Sequence, residues 1–126
     1  MILNKLEVLA DAIAYNNKAH EPESPAYQNR NPGNLLAFSF KHPRDEQGRR
    51  IFSSLLDGYQ ALLFDLRIKC QGKSRANIPD TANLTDLMKS YGHEGVLAGR
   101  YIAKRIRKAI SVEVTESTPL SFFLES

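Results

Sequence analysis

Apolar positions along the chain gather into four stretches with helical spacing. In the first, Leu6, Leu9, Ala10 and Ile13 recur at intervals of three and four. Asn4 precedes them and Glu7 follows three residues later, which predicts a side-chain cap and an acidic first turn. Pro22 and Pro25 predict that this helix ends near Ala19. The second stretch opens at Ser54 with Asp57. It carries Tyr59, Leu62, Leu63 and Leu66 on one face, and Gly72 lies just past its end. Asn83 with Asp86 caps a shorter third helix through Tyr91, with Leu84, Leu87 and Met88 inward. The fourth covers Tyr101–Ile110, where Ile102, Ile106 and Ile110 are spaced by four. Thr118-Pro119 reads as a cap followed by proline at the first position of a last short turn.

The chain between the first two helices has a different texture. His20–Arg30 is polar and bears proline, hence a loop. Asn31-Pro32-Gly33-Asn34 is a turn signal, with proline presetting one backbone angle and glycine accepting a positive one. Leu35–Phe40 is then expected as a strand, His42–Gly48 as a charged turn and Arg49–Phe52 as the returning strand of a hairpin. The expected class is α+β, mainly helical, with one small hairpin after the first helix. A length of 126 residues fits one domain over 1–126, and 42% apolar with 25% charged residues is ordinary globular composition.

Cys70 is the only cysteine, which excludes an internal disulfide and a cysteine-based zinc site and predicts a buried structural thiol. His20, His42 and His93 are scattered without ligand spacing, so no metal or cofactor is expected. No run approaches the roughly 20 apolar residues of a membrane span. Glu7 and Asp11 interrupt the apolar stretch Met1–Ala14, so no standard export signal is expected. The net charge of +3 permits an anionic partner without arguing for one. Arg100, Lys104, Arg105, Arg107 and Lys108 make the last long helix basic. With its isoleucines at every fourth position, that charge is expected to face solvent. No RNA platform, zinc framework or helix-turn-helix accompanies it, so a nucleic-acid role is the weakest alternative.

The order of motifs carries more information. Ala12-Ile13-Ala14 is followed by Pro22 and Ser24, then Asn31-Pro32-Gly33-Asn34-Leu35, and after the expected hairpin by Phe52-Ser53-Ser54 and Gly58-Tyr59. This series resembles phage and prophage proteins of the lysozyme superfamily, whose first helix reads like "AIAxxEG". An "NNPGNL" turn, a hairpin and "FPSPEAGW" follow in that family. Its members are often described as transglycosylase-like domains or virion structural proteins. Tyr91 is similar to the tyrosine of the family's "KYAPP" segment, and Thr118-Pro119-Leu120 to its usual ending. The resemblance covers most of the chain, and the Asn-Pro-Gly-Asn turn is its most informative part. It implies a lysozyme-like fold with a groove directed at the glycan strand of peptidoglycan, or at phage structural proteins.

Glycan cleavage needs a carboxyl held protonated near neutral pH to protonate the leaving oxygen. The gapless match from Ala12 to Leu35 puts Asn17 where the family carries its catalytic glutamate. An amide has no such proton to give. Glu21, one helical turn on, and Glu23 are the carboxylates near enough in sequence to substitute, although Pro22 interrupts the helix that would align Glu21 with Asn17. Asn31 and Asn34 could bond sugars or build the turn, and Tyr27 and Tyr91 could stack on a glycan face or pack at the core edge. The implied function is a peptidoglycan-directed protein with weak or degenerate catalysis. The alternative is a non-enzymatic phage structural or interaction protein on the same fold.

Overall fold

A computed structural model of the chain describes residues 4–73, 78–79 and 81–125. It is mainly helical, with α1 at Lys5–Asn16, α2 at Pro25–Gln28, α3 at Leu55–Cys70, α4 at Leu84–Ser90, α5 at Gly95–Ile110 and a closing 3-10 turn at Leu120–Leu124. Three of the helices begin where side-chain caps predict. Asn4, Ser54 and Asn83 each accept from the backbone N–H three residues on, at Glu7, Asp57 and Asp86. Asn83 and Asp86 form a reciprocal capping box.

Four boundaries differ from the sequence expectation. Helix α1 stops at Asn16 rather than near Ala19, because Lys18 takes a left-handed conformation (φ 60°). The Ala19 N–H then reaches back to the Ala14 carbonyl and the Lys18 N–H to the Tyr15 carbonyl, closing the helix end with a lysine where glycine is usual. The expected loop His20–Arg30 contains α2, opened by Ser24 as cap and Pro25 in its first turn. Helix α5 begins at Gly95, six residues before Tyr101, with Glu94 accepting from Val96 and Leu97 N–H. At the closing turn Pro119, not Thr118, is the cap residue, and the Thr118 hydroxyl accepts from Thr115 N–H instead.

Helix α1 is central. Its buried face, including Leu9 and Ile13, meets Leu62 and Leu66 of α3 and Ile102 and Ile106 of α5 in one core cluster. Helix α4 seals the far side of α5. The contact is close because Gly95 and Gly99 lack side chains: a Cβ on Gly95 would come to 2.8 Å from the Thr85 carbonyl, and one on Gly99 to 3.0 Å from the Glu116 side chain. The closing turn docks on the start of α4 through Leu120 N–H to the Ala82 carbonyl at 2.7 Å, and buries Leu120 and Phe123. The lysines and arginines of α5 are exposed while Ile102 and Ile106 are buried, as the spacing by four requires. Among the described residues no helix is long and apolar enough to cross a membrane.

The region expected as a hairpin is not a sheet. Leu36 bridges Arg49 and Arg44 bridges Arg50, each as an isolated antiparallel contact. Asp45 occupies the inside of the turn and accepts from the N–H groups of Gln47 and Arg49, so much of the bonding capacity goes to side chains.

Candidate functional site

The end of α1, the Asn31–Asn34 turn and the first turns of α3 converge on one groove of about 560 Å³. Their meeting is enforced by small residues. A Cβ on Gly58 would collide with the Arg30 carbonyl oxygen, so only glycine lets α3 approach the turn this closely. Gly33 has the same function against Leu62, to which a Cβ would come within 2.7 Å. The positive φ that the turn needs falls elsewhere than expected, on Arg30 (52°) and Asn34 (49°). Asparagine tolerates that conformation better than most residues.

Asn31 is fully buried and spends its side chain inside the turn. Nδ2 donates to the Leu35 and Arg50 carbonyls at 2.9 and 2.8 Å, and Oδ1 accepts from Leu35 N–H at 3.0 Å. It staples the turn to the returning chain and has no accessible atom to offer a sugar. Asn34 is half-buried, with Oδ1 enclosed and unpaired among the described residues. Asn17 is the C-terminal cap residue of α1. Its Nδ2 donates to the Pro32 carbonyl at 3.0 Å, and its Oδ1 is enclosed without a partner among the described residues. Pro32 lines the groove and Asn17 does not, so the amide sits behind the groove wall.

The lining is almost wholly apolar, formed by Ala14, Tyr15, Ala19, Pro32, Leu55 and Leu56, with His20, Asp11 and Tyr59 at its margins. Asp11 is the lining residue with a carboxyl, and the Tyr59 hydroxyl donates to it. Burial, and then the Asp11 carboxylate, push ionisation of the Tyr59 phenol well above its ordinary value. Tyr15 is clamped on both faces. The His20 ring stacks on it with centroids 4.3 Å apart, and the Arg105 guanidinium lies 3.5 Å from the same centroid. Two groups that close cannot share one face of the ring, so α5 reaches through Tyr15 to fix the groove edge.

The other sequence candidates scatter. Glu21 and Glu23 are exposed; Glu21 lies 3.9 Å from His20 Nε2 and lines a separate recess with Tyr15, Lys18 and Tyr101. Tyr27 is half exposed and lines a second recess that shares Ala19, His20 and Leu55 with the groove. Tyr91 belongs to a different place: its hydroxyl donates to Asp65 at 2.6 Å and its ring lies 3.7 Å under the buried Lys69 ammonium. Burial and the Asp65 carboxylate hold that phenol protonated. Among the described residues no three or more His, Cys, Asp or Glu side chains gather in a way that could hold a metal ion. Sequence reasoning missed Asp11, Tyr59 and the Arg105–Tyr15–His20 stack. Tyr59 reads as part of the apolar face of the second helix and Asp11 as an interruption of an apolar stretch, and nothing local in sequence pairs them.

No family model, no curated protein and no solved structure matches this chain. The site therefore stands on its own chemistry. It offers an apolar trough with an aromatic wall and one carboxylate committed to a phenol. Such a surface can hold a ligand, and the carboxyl that lines it among the described residues, Asp11, accepts from the Tyr59 hydroxyl.

Proposed function

We propose that this chain is a lysozyme-like, peptidoglycan-directed protein of the phage type in which glycan-cleaving chemistry is lost. One observation carries the reading: the side chain at the general-acid position, Asn17, is bonded to the Pro32 carbonyl behind the groove wall. The motif series Ala12–Tyr59 supplies the family, and the groove between α1, the turn and α3 supplies a surface where a glycan strand would lie. Exposed Tyr27, beside the groove, is the aromatic available to stack on a sugar. The test pairs two measurements on purified protein: co-sedimentation with peptidoglycan sacculi and clearing of a sacculus suspension. Binding that weakens on Tyr27→Ala, without clearing, is the expected result. Failure to bind sacculi would remove the reading.

The apolar lining favours a second reading, a non-enzymatic interaction protein. Sugars present a dense ring of hydroxyls that need polar partners, whereas this groove offers few beyond Asp11 and His20. Leu55 and Leu56, 58% and 64% exposed, are what a protein ligand would cover. In that case Leu55→Ser with Leu56→Ser abolishes association with the partner, and sacculi do not compete.

A further inference from the structure

Among the described residues, the segment 36–50 holds the two most exposed large apolar side chains. Phe38 is 91% exposed and Phe40 90%, and Leu36 beside them is 54% exposed. Large apolar side chains rarely stay this free in a folded domain unless another surface receives them. In the isolated chain these two rings gain almost nothing from folding.

The segment that carries them is nevertheless braced. Ala37 N–H donates to the Gly48 carbonyl at 2.9 Å, Arg50 N–H to Leu35 at 2.8 Å and Ile51 N–H to Pro43 at 2.9 Å. The Arg44 guanidinium donates to the Ser39 carbonyl at 2.5 Å, across the bend between the two phenylalanines. Asp45 is drawn toward Asn29 and Arg49, at 2.8 and 3.5 Å. The rings are therefore held outward on a preformed flap, and little further ordering is needed to use them.

The charge around the rings is of one dominant sign. Lys41, Arg44, Arg49 and Arg50 follow Phe40 within ten residues, and Lys41 and Arg44 are exposed. Of the two carboxylates in the flap, Asp45 is occupied in the contacts above, which leaves Glu46 facing solvent. We propose that the flap is a peripheral membrane-docking element for an anionic phospholipid surface, with Phe38 and Phe40 entering the interfacial layer and Lys41 and Arg44 meeting the headgroup phosphates. Two exposed aromatics followed by exposed Lys41 and Arg44 suit a bilayer, which deforms to receive them, whereas a protein partner would need a matching cavity. Cations bordering those rings complement a diffuse negative surface. Two rings by themselves make a reversible attachment. The proposal is independent of what fills the groove, because it uses none of the groove's residues.

The test is co-sedimentation with vesicles of phosphatidylglycerol and phosphatidylcholine in equal parts, against phosphatidylcholine alone. Wild type is expected to bind the anionic vesicles and to leave the neutral ones. The double variant Phe38→Ser, Phe40→Ser should lose at least about tenfold in partitioning, with an unchanged circular dichroism spectrum because neither ring is packed. Lys41→Gln with Arg44→Gln should weaken binding and flatten its decline as salt rises from about 0.1 M to about 1 M. Lys104→Gln with Lys108→Gln on α5 should leave it unchanged. Absence of binding to anionic vesicles overturns the proposal, as does full binding by the phenylalanine variant or loss of binding in the α5 variant. Self-association that disappears in the phenylalanine variant, without vesicle binding, would instead make the flap an interface between copies.

Discussion

The side-chain amide of Asn17 donates to the main-chain carbonyl of Pro32 at 3.0 Å, tying the end of α1 to the turn fifteen residues on. Both atoms are enclosed, so loss of the donor leaves an unsatisfied carbonyl. Asn17→Ala should therefore destabilise the fold by about 1–3 kcal/mol, read as a lowered denaturation midpoint with an unchanged m-value. An unchanged midpoint would mean that water replaces the amide and that the turn is held by Asn31 alone.

Gly58 provides a sharper test of the same junction. Replacing a helix-interior glycine with alanine ordinarily gains about 0.5–1 kcal/mol. Here the new methyl would run into the Arg30 carbonyl, a backbone atom that cannot swing aside. Gly58→Ala is expected to reverse the usual sign and cost about 1–3 kcal/mol or more in urea denaturation. A stabilised variant would refute the close approach of α3 to the turn.

The contrast between these two residues bears on what the sequence can disclose. Local devices are legible: Asn4 with Glu7, Ser54 with Asp57 and Asn83 with Asp86 announce three helices because the capping side chain and its N–H donor lie within one turn. Glycines that serve close approach are misread, because their reason lies on another element. Gly95 and Gly99 resemble a loop until Thr85 and Glu116 are seen against them, which is why α5 starts earlier than its isoleucine spacing suggests. Lys18 ends α1 in a conformation that composition gives no cause to expect. The hairpin failed for a related reason. Alternation at Leu36, Phe38 and Phe40 looks like a strand with one buried face, yet those side chains face outward and the turn spends its bonds on Asp45. At the site, the sequence found Asn17, Asn31 and Tyr27 as residues of interest. It could not tell that Asn31 would be spent within its own turn, or that Tyr91 would be bonded to Asp65 away from the groove lining.

Cys70 should be inert in the native state. Burial pushes its thiol up to about 12, against the opposing pull of the Lys69 charge. Since an exposed thiol titrates near about 8.5, the native thiolate fraction at pH 8 falls by roughly a thousandfold. An aromatic disulfide reagent should react immediately in denaturant and very slowly without it. The raised value also has a linkage consequence. The folded state keeps a proton that the unfolded state releases, so this contribution is complete below about pH 8.5 and is lost as pH rises from there toward 12. Cys70→Ala should reduce that alkaline loss, and rapid labelling of native protein at pH 8 would contradict the buried placement.

Asp45 predicts the opposite limb of the pH profile. Partial burial works to raise its carboxyl, but the Arg49 and Gln47 N–H groups, the Asn29 amide and the Arg49 charge together draw it below the ordinary carboxylate value. A depressed folded value means stability that is fully present above the unfolded value of about 3.9 and is lost as pH falls through the folded one. Thermal melts from pH 5 downward should show a steeper decline for wild type than for Asp45→Asn once the pH passes below the ordinary carboxylate value. Parallel profiles would show that the flap is already open in that range.

The decisive chemical prediction concerns cell-wall lysis. On the proposed reading the general acid is lost, and since general acid–base catalysis is worth roughly 100- to 10,000-fold, the protein should clear a sacculus suspension barely or not at all. Wild type should sit at the no-enzyme baseline at pH 5 to 8. Asn17→Glu tests whether one side chain is all that is missing. The geometry argues against rescue, because residue 17 points behind Pro32 and not into the groove, and a carboxyl there would confront the Pro32 carbonyl. The variant is expected to be less stable and still inactive. Glu21→Gln and Glu23→Gln should change nothing, since both side chains are exposed and neither lines the groove. Lysis by wild type at an enzymatic rate would overturn this account, and loss of that lysis in either glutamine variant would name the acid. Full lysis by Asn17→Glu would show instead that α1 can re-end so that residue 17 enters the groove, which would make Asn17 the single change separating a binder from an enzyme.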